Sequence, residues 1–160
     1  MTPRNPTNGV PIIEAHDLTA GYGGAPALTG ASLSLLPGGA LAVLGQNGAG
    51  KTTLARCLSG QLAPLGGRVL VDGHDVTRLP AHRIARLGVA HLPEGRGVFP
   101  GLSVTDNLRA GLRHRLPRGD RQAGLARALE LFPVLASRRR QLAGTLSGGE
   151  QQMLALARVL

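Results

Sequence analysis

Aromatic residues are almost missing from this chain: its 160 residues include one tyrosine, two phenylalanines and no tryptophan. Tyr22, Phe99 and Phe132 cannot build the interleaved stacking platform that single-stranded nucleic acid requires. A lone cysteine, Cys57, excludes an internal disulfide. Beside Leu54 and Leu58 on one helical face, it reads as a small buried hydrophobe. No run approaches the roughly 18 apolar residues of a membrane span. The opening Met1 to Gly9 has no apolar core of a secretory signal, so the expected location is the cytosol. Acidic residues are scarce as well, 9 against 18 basic ones, for a net charge of +9. Such a balance raises nucleic acid or another anionic surface as a partner. The arginines are nevertheless scattered. Arg138, Arg139 and Arg140, and the group Arg109, Arg113, Arg115, Arg118 and Arg121, read as solvated helix faces. The five histidines have no metal-ligand spacing. Length and 42% hydrophobic content describe one globular core.

Lysine is the scarcest basic residue, and its one occurrence falls in an informative place. Gly45, Gln46, Asn47, Gly48, Ala49, Gly50, Lys51 and Thr52 fit the pattern G-x-x-x-x-G-K-[ST]. The apolar run Leu41 to Leu44 before it suits a buried strand, and the stretch from Thr52 and Thr53 onward reads as a helix. A glycine-rich strand-to-helix turn bends around a phosphate without Cβ clashes, and the first N–H groups of the helix converge on the anion. Lys51 would reach the outer phosphates of a nucleotide, and the Thr52 hydroxyl would ligate the bridging magnesium ion.

Taken in order, residues 1–9 read as a disordered tail, Ile12 to Leu18 as a strand, and Ala31 to Leu35 as a half-exposed antiparallel strand. Ala40 to Leu44 lacks polar alternation, as in a strand covered on both faces of a parallel sheet. A helix with Leu54, Leu58 and Leu62 comes next, then a strand over Arg68 to Asp72 with Asp72-Gly73 as a hairpin turn. Leu79 to Leu87 is expected to be a short helix stopped by Gly88, and Val89 to Leu92 a strand leading into a Gly- and Pro-rich loop. Ser103 to Asp106 has capping-box character for a helix through Ala110; Leu125, Leu129 and Phe132 mark another helical face. No repeat is present, and Leu116 to Gly119 is the one internal linker candidate.

A second anion-directed helix start lies near the end. In Leu146-Ser147-Gly148-Gly149-Glu150, Ser147 and Glu150 stand at capping-box spacing, and the two glycines leave the backbone N–H groups open to a phosphate. From about Ile12 to Leu160 the sequence resembles the ATP-binding-cassette (ABC) ATPases. LSGGE is similar to that family's signature motif and GQNGAGKT to its Walker A loop. The resemblance implies an α/β P-loop NTPase of ABC ATPase type: an antiparallel β subdomain, a parallel-sheet core and a helical subdomain. On that basis, residues 10–160 form a partial nucleotide-binding domain. About 10–100 are core and β subdomain, and about 101–150 a helical subdomain with the signature motif.

The same resemblance implies that Tyr22 stacks on the adenine of ATP. It puts Glu94 where the family usually has a glutamine that touches Mg2+ and senses the membrane partner. Residues Pro93 to Arg96, and the run from Glu130 to Leu154, are similar to the ATPases of branched-chain amino acid importers. Implied partners are a second ATPase subunit, paired head to tail, and transmembrane permease subunits at the inner face of the cell membrane. In such a pair Lys51 acts in cis, and Leu146, Ser147, Gly148, Gly149 and Glu150 act in trans. The family's Walker B strand, its catalytic Glu and its switch histidine have no counterpart up to Leu160. The expectation is an incomplete cassette that binds ATP and hydrolyses it poorly, since no carboxylate here orients water. A non-hydrolytic nucleotide-binding remnant and a DNA-associated ABC-type ATPase are the alternatives.

Overall fold

The computed structural model describes residues 9–95 and 97–159. The readings placed on residues 1–8, on Arg96 and on Leu160 lie outside these. Two compact units divide the chain at Val89/Ala90.

The first unit is built on an antiparallel sheet of order β2-β1-β3-β4, with β1 at Ile13–Ala20, β2 at Leu28–Leu35, β3 at Gly66–Val71 and β4 at His74–Asp75. Ala15, Leu18 and Ala20 are the buried positions of β1. The alternation skips a residue between Ala15 and Leu18 because Asp17 sits at φ 49, in an irregularity of the ladder. Its amide donates to the Ser32 hydroxyl at 2.9 Å, and that hydroxyl donates back to the Asp17 carboxylate at 3.3 Å. Between β3 and β4, Asp72 and Gly73 take φ 50 and 76, the paired positive values of a tight hairpin, as the Asp-Gly pair predicts. Helix α1 (Lys51–Leu58) contributes Leu54 and Cys57 to the buried cluster that also holds Leu18, Val69 and Val71. Helix α2 (Ala81–Arg86) adds Ile84, and Gly88 at φ 96 lies just past its end.

Two expected strands are not formed. Residues 40–44 and 89–92 are irregular, and Leu44 is 90% exposed. An apolar run specifies burial, but a strand also needs a neighbour to complete its ladder. Among the described residues every pairing is antiparallel, and none reaches 40–44 or 89–92. The parallel core expected from the resemblance is thus absent among these residues.

The second unit is helical: α3 (Val104–Arg115), α4 (Arg121–Leu131), α5 (Pro133–Ser137) and α6 (Gly148–Ala157), with short 3-10 turns at Arg118–Asp120 and Ala143–Thr145. Its core gathers Val104, Leu108 and Leu112 from α3, Leu125 and Leu129 from α4, Leu135 from α5 and Leu154 from α6. Helix α3 runs five residues past Ala110, the expected end, and is capped by Ser103, whose hydroxyl accepts from the Asp106 amide at 3.1 Å. Phe132 lies just beyond α4 as its C-cap, half-buried against the same core. Among the described residues no helix is long and apolar enough to cross a membrane.

Candidate functional site

The glycine-rich loop enters α1 without a side-chain cap, because Gly50 at the cap position stands at φ 84 and Gly48 precedes it at φ 86. A Cβ on Gly50 would also press on the Ala27 carbonyl oxygen at 2.6 Å, so both torsion and space demand glycine. The turn is drawn in by the Ala49 amide donating to Gln46 O at 3.2 Å. The first-turn N–H groups of α1 have no intrahelical acceptor, and a glycine entry leaves them approachable. Lys51 folds back over this loop: its ammonium donates to Gly45 O at 2.8 Å and to Gln46 O at 2.7 Å. A single positive charge is thereby held across the loop's concave side. Thr52 is exposed on the first turn, whereas Thr53 is buried beneath it. Glycine cradle, lysine and exposed hydroxyl form an oxygen- and anion-directed set that fits a nucleotide phosphate with its magnesium ion. Among the described residues no cluster of three His, Cys, Asp or Glu could hold a metal by itself.

Tyr22 lies in the same unit, on the loop between β1 and β2 that is closed by the Ala27 amide donating to Ala20 O at 2.8 Å. Its ring is 57% exposed. Its hydroxyl accepts from Arg56 Nη1 at 3.0 Å, and the guanidinium carbon of Arg56 stands 5.6 Å from the ring centroid. Phosphate loop and aromatic ring are therefore tied to one helix, α1, which carries both Lys51 and Arg56.

The second unit carries Glu94 and the Leu146 to Glu150 segment. Here the capping box is complete. The Ser147 hydroxyl accepts from the Glu150 amide at 3.3 Å, and the Glu150 carboxylate accepts from the Ser147 amide at 2.9 Å. Hydrogen bonding from the Ser147 backbone, helped by the Ser147 hydroxyl and by Arg138, holds the Glu150 carboxyl below its ordinary range. Buried Gln151 fixes the turn that precedes α6, its side-chain amide donating to Ala143 O at 2.9 Å and Leu146 O at 3.1 Å.

Glu94 is exposed on a bend. The loop after it is anchored by two residues that sequence reasoning missed. Asn107, fully buried, accepts from the Phe99 amide at 2.8 Å and donates to Phe99 O at 2.9 Å and Ser103 O at 3.1 Å. Arg158, just past α6, donates to Gly97 O and sets its guanidinium 4.4 Å from the Phe99 ring centroid. Burial pulls its pKa below the ordinary arginine value. A polar residue inside an apolar helical face was the available signal for Asn107; Arg158 had none, since its partners lie far back in the chain.

A glycine-rich loop with its lysine on a helix start gives the first unit the residue pattern of a phosphate-binding loop. The ABC transporter family model matches residues 28–160, so the chain belongs to the ABC transporter family. It is 42% identical over 139 residues to the high-affinity branched-chain amino acid transport ATP-binding protein BraG of Pseudomonas aeruginosa, covering 87% of this chain and 59% of that protein. It is 43% identical over 153 residues to the hemin import ATP-binding protein HmuV of Bordetella pertussis, covering 92% of this chain and 56% of that one. The chain thus spans under two thirds of the length of both. Among solved structures, a dimeric, post-hydrolysis ATP-binding cassette bound to ADP and Pi superposes with a TM-score of 0.79 at 20% identity, over 92% of this chain and 68% of that one. The fold is that of the ABC ATPase cassettes, for the part this chain spans.

Proposed function

We propose that the chain is nucleotide-binding sequence of an ABC transporter's ATP-binding subunit, with residues Gly45 to Thr53 holding the phosphates of ATP. The observation that carries this reading is the Lys51 ammonium, fixed across its own glycine loop by the carbonyls of Gly45 and Gln46. A phosphate entering the loop meets helix N–H groups, the lysine and the Thr52 hydroxyl together. Magnesium, held by Thr52 and the nucleotide's own oxygens, would offset phosphate charge; the magnesium role that the resemblance gives Glu94 is a separate proposal, since Glu94 belongs to the second unit. Tyr22 supplies a face for the adenine. Leu146 to Glu150 offer a second helix start with two glycines and a serine hydroxyl, suited to the outer phosphate of an ATP bound by a partner subunit. The domain boundaries proposed with the same reading are about 10–100 for the nucleotide core and β subdomain and about 101–150 for the helical subdomain, whereas the compact units divide at Val89/Ala90.

Partnership with a second ATPase subunit and with permease subunits, at the cytoplasmic face of the membrane, belongs to this proposal. The cargo is proposed to be branched-chain amino acids, supported by the BraG similarity and by the Pro93 to Arg96 loop. HmuV, a hemin importer's ATPase by name, is as similar in identity, so uptake of leucine and of hemin should both be measured after disruption of the gene. Only leucine uptake is expected to fall. Calorimetric titration of the chain with ADP and Mg2+ tests the site itself. Lys51→Ala should weaken binding by at least about tenfold, the loss of one charge-assisted phosphate contact. Equal affinity in the two proteins would end the reading.

A further inference from the structure

Tyr22 stands on a loop of glycines and belongs to neither of the two buried clusters. A ring placed so, with two free torsions, is a poor stacking platform, because every base that lands on it must first order it. Arg56 is the side chain that orders it. The guanidinium makes two distinct contacts with one ring, a hydrogen bond to the hydroxyl at 3.0 Å and an approach of 5.6 Å to the centroid. The first holds the hydroxyl end of the ring; the second is within cation–π range, and with Tyr22 57% exposed the ring keeps surface open to a base. Arg56 lies in the last turn of α1, whose first residue is Lys51. A rigid helix therefore sets where the ring stands relative to the phosphate loop.

We propose that Arg56 is a positioning residue for the adenine: it orients the Tyr22 ring from α1 and acts on the base end of the nucleotide, not on its phosphates. This rests on the reading of Tyr22 as the adenine platform. The test compares ADP with inorganic tripolyphosphate, which has phosphates and no base, by calorimetry on the unaltered chain, Arg56→Gln and Tyr22→Ala. Tyr22 is the sole tyrosine and there is no tryptophan, so steady-state anisotropy of tyrosine emission reports this ring alone. Arg56→Gln should weaken ADP about fivefold, leave tripolyphosphate unchanged and lower the anisotropy. Arg56 is exposed, and circular dichroism checks that the variant folds. Unchanged ADP affinity or anisotropy in Arg56→Gln, with Tyr22→Ala still weakening ADP, overturns the role of Arg56 and leaves the platform standing. Equal weakening of both ligands in Arg56→Gln overturns it too, since the residue would then act on the helix or its phosphates. Should Tyr22→Ala bind ADP and tripolyphosphate as the unaltered chain does, the platform itself fails and Arg56 with it.

Discussion

Arg138 Nε lies 2.9 Å from Glu150 Oε1, while the other oxygen of that carboxylate accepts the Ser147 amide at 2.9 Å. An acidic residue at a helix start favours the helix but repels an approaching phosphate. Arg138 offsets that charge, so an anion approaching Gly148 and Gly149 would meet no net negative neighbour.

The pH dependence of this start is set by Glu150. Its folded pKa is depressed, so the stability it contributes is present above the ordinary glutamate value and is lost as pH falls through the lowered one. Protection of the Ser147 amide against exchange, followed by NMR relative to the unfolded-chain rate, should therefore fall once the pH drops below the ordinary glutamate value. In Glu150→Gln the box persists without a titrating group, and the exchange should lose this acid step. An acid step retained in that variant would mean another group controls the turn.

Gly50→Ala should harm both fold and binding. The new Cβ meets the Ala27 carbonyl, and φ 84 is strained for alanine. A cost of about 1–3 kcal/mol is expected, read as a lower thermal midpoint together with weaker ADP binding. An unchanged midpoint would show that the loop relaxes freely.

Asn107→Ala strips four hydrogen bonds from the segment Phe99–Ser103. Removing the buried Asn107 amide and leaving its part-buried backbone partners unpaired should cost about 2 kcal/mol, or roughly 6 °C in thermal midpoint for a chain of this size. The loss should appear without change in ADP affinity at the Lys51 loop.

Cys57 should be chemically quiet. Burial pushes its thiol pKa up, so thiolate is scarce in the folded chain, and the stability of the neutral form is lost as pH rises from the ordinary cysteine value through the raised one. Labelling with a thiol reagent at pH 8 should be slow until denaturant is added. Prompt labelling of folded protein would contradict the packing of α1.

The motifs were legible because their chemistry is local. Gly45 to Thr53, the Ser147 capping box and the Asp72-Gly73 hairpin are each decided by residues a few positions apart. Leu41 to Leu44 misled for the opposite reason: apolar composition names a preference for burial, but a strand exists only where a neighbour pairs with it. Arg56, Arg138 and Arg158 were hidden among 17 arginines, and their partners are remote in sequence. Tyr22 is 34 positions from Arg56, and Gly97 is 61 from Arg158. No periodicity encodes such a contact.

Ala27 gives the molecule one more property. Its amide closes the loop that carries Tyr22, and its carbonyl crowds Gly50 at the mouth of the phosphate loop. A single residue thus braces both the loop that carries Tyr22 and the loop before Lys51, the two ends that the proposed reading gives to base and phosphate. On that reading the site would select by length: a nucleoside diphosphate of natural reach would seat at both ends, while one with a stretched or shortened sugar linkage would satisfy only one.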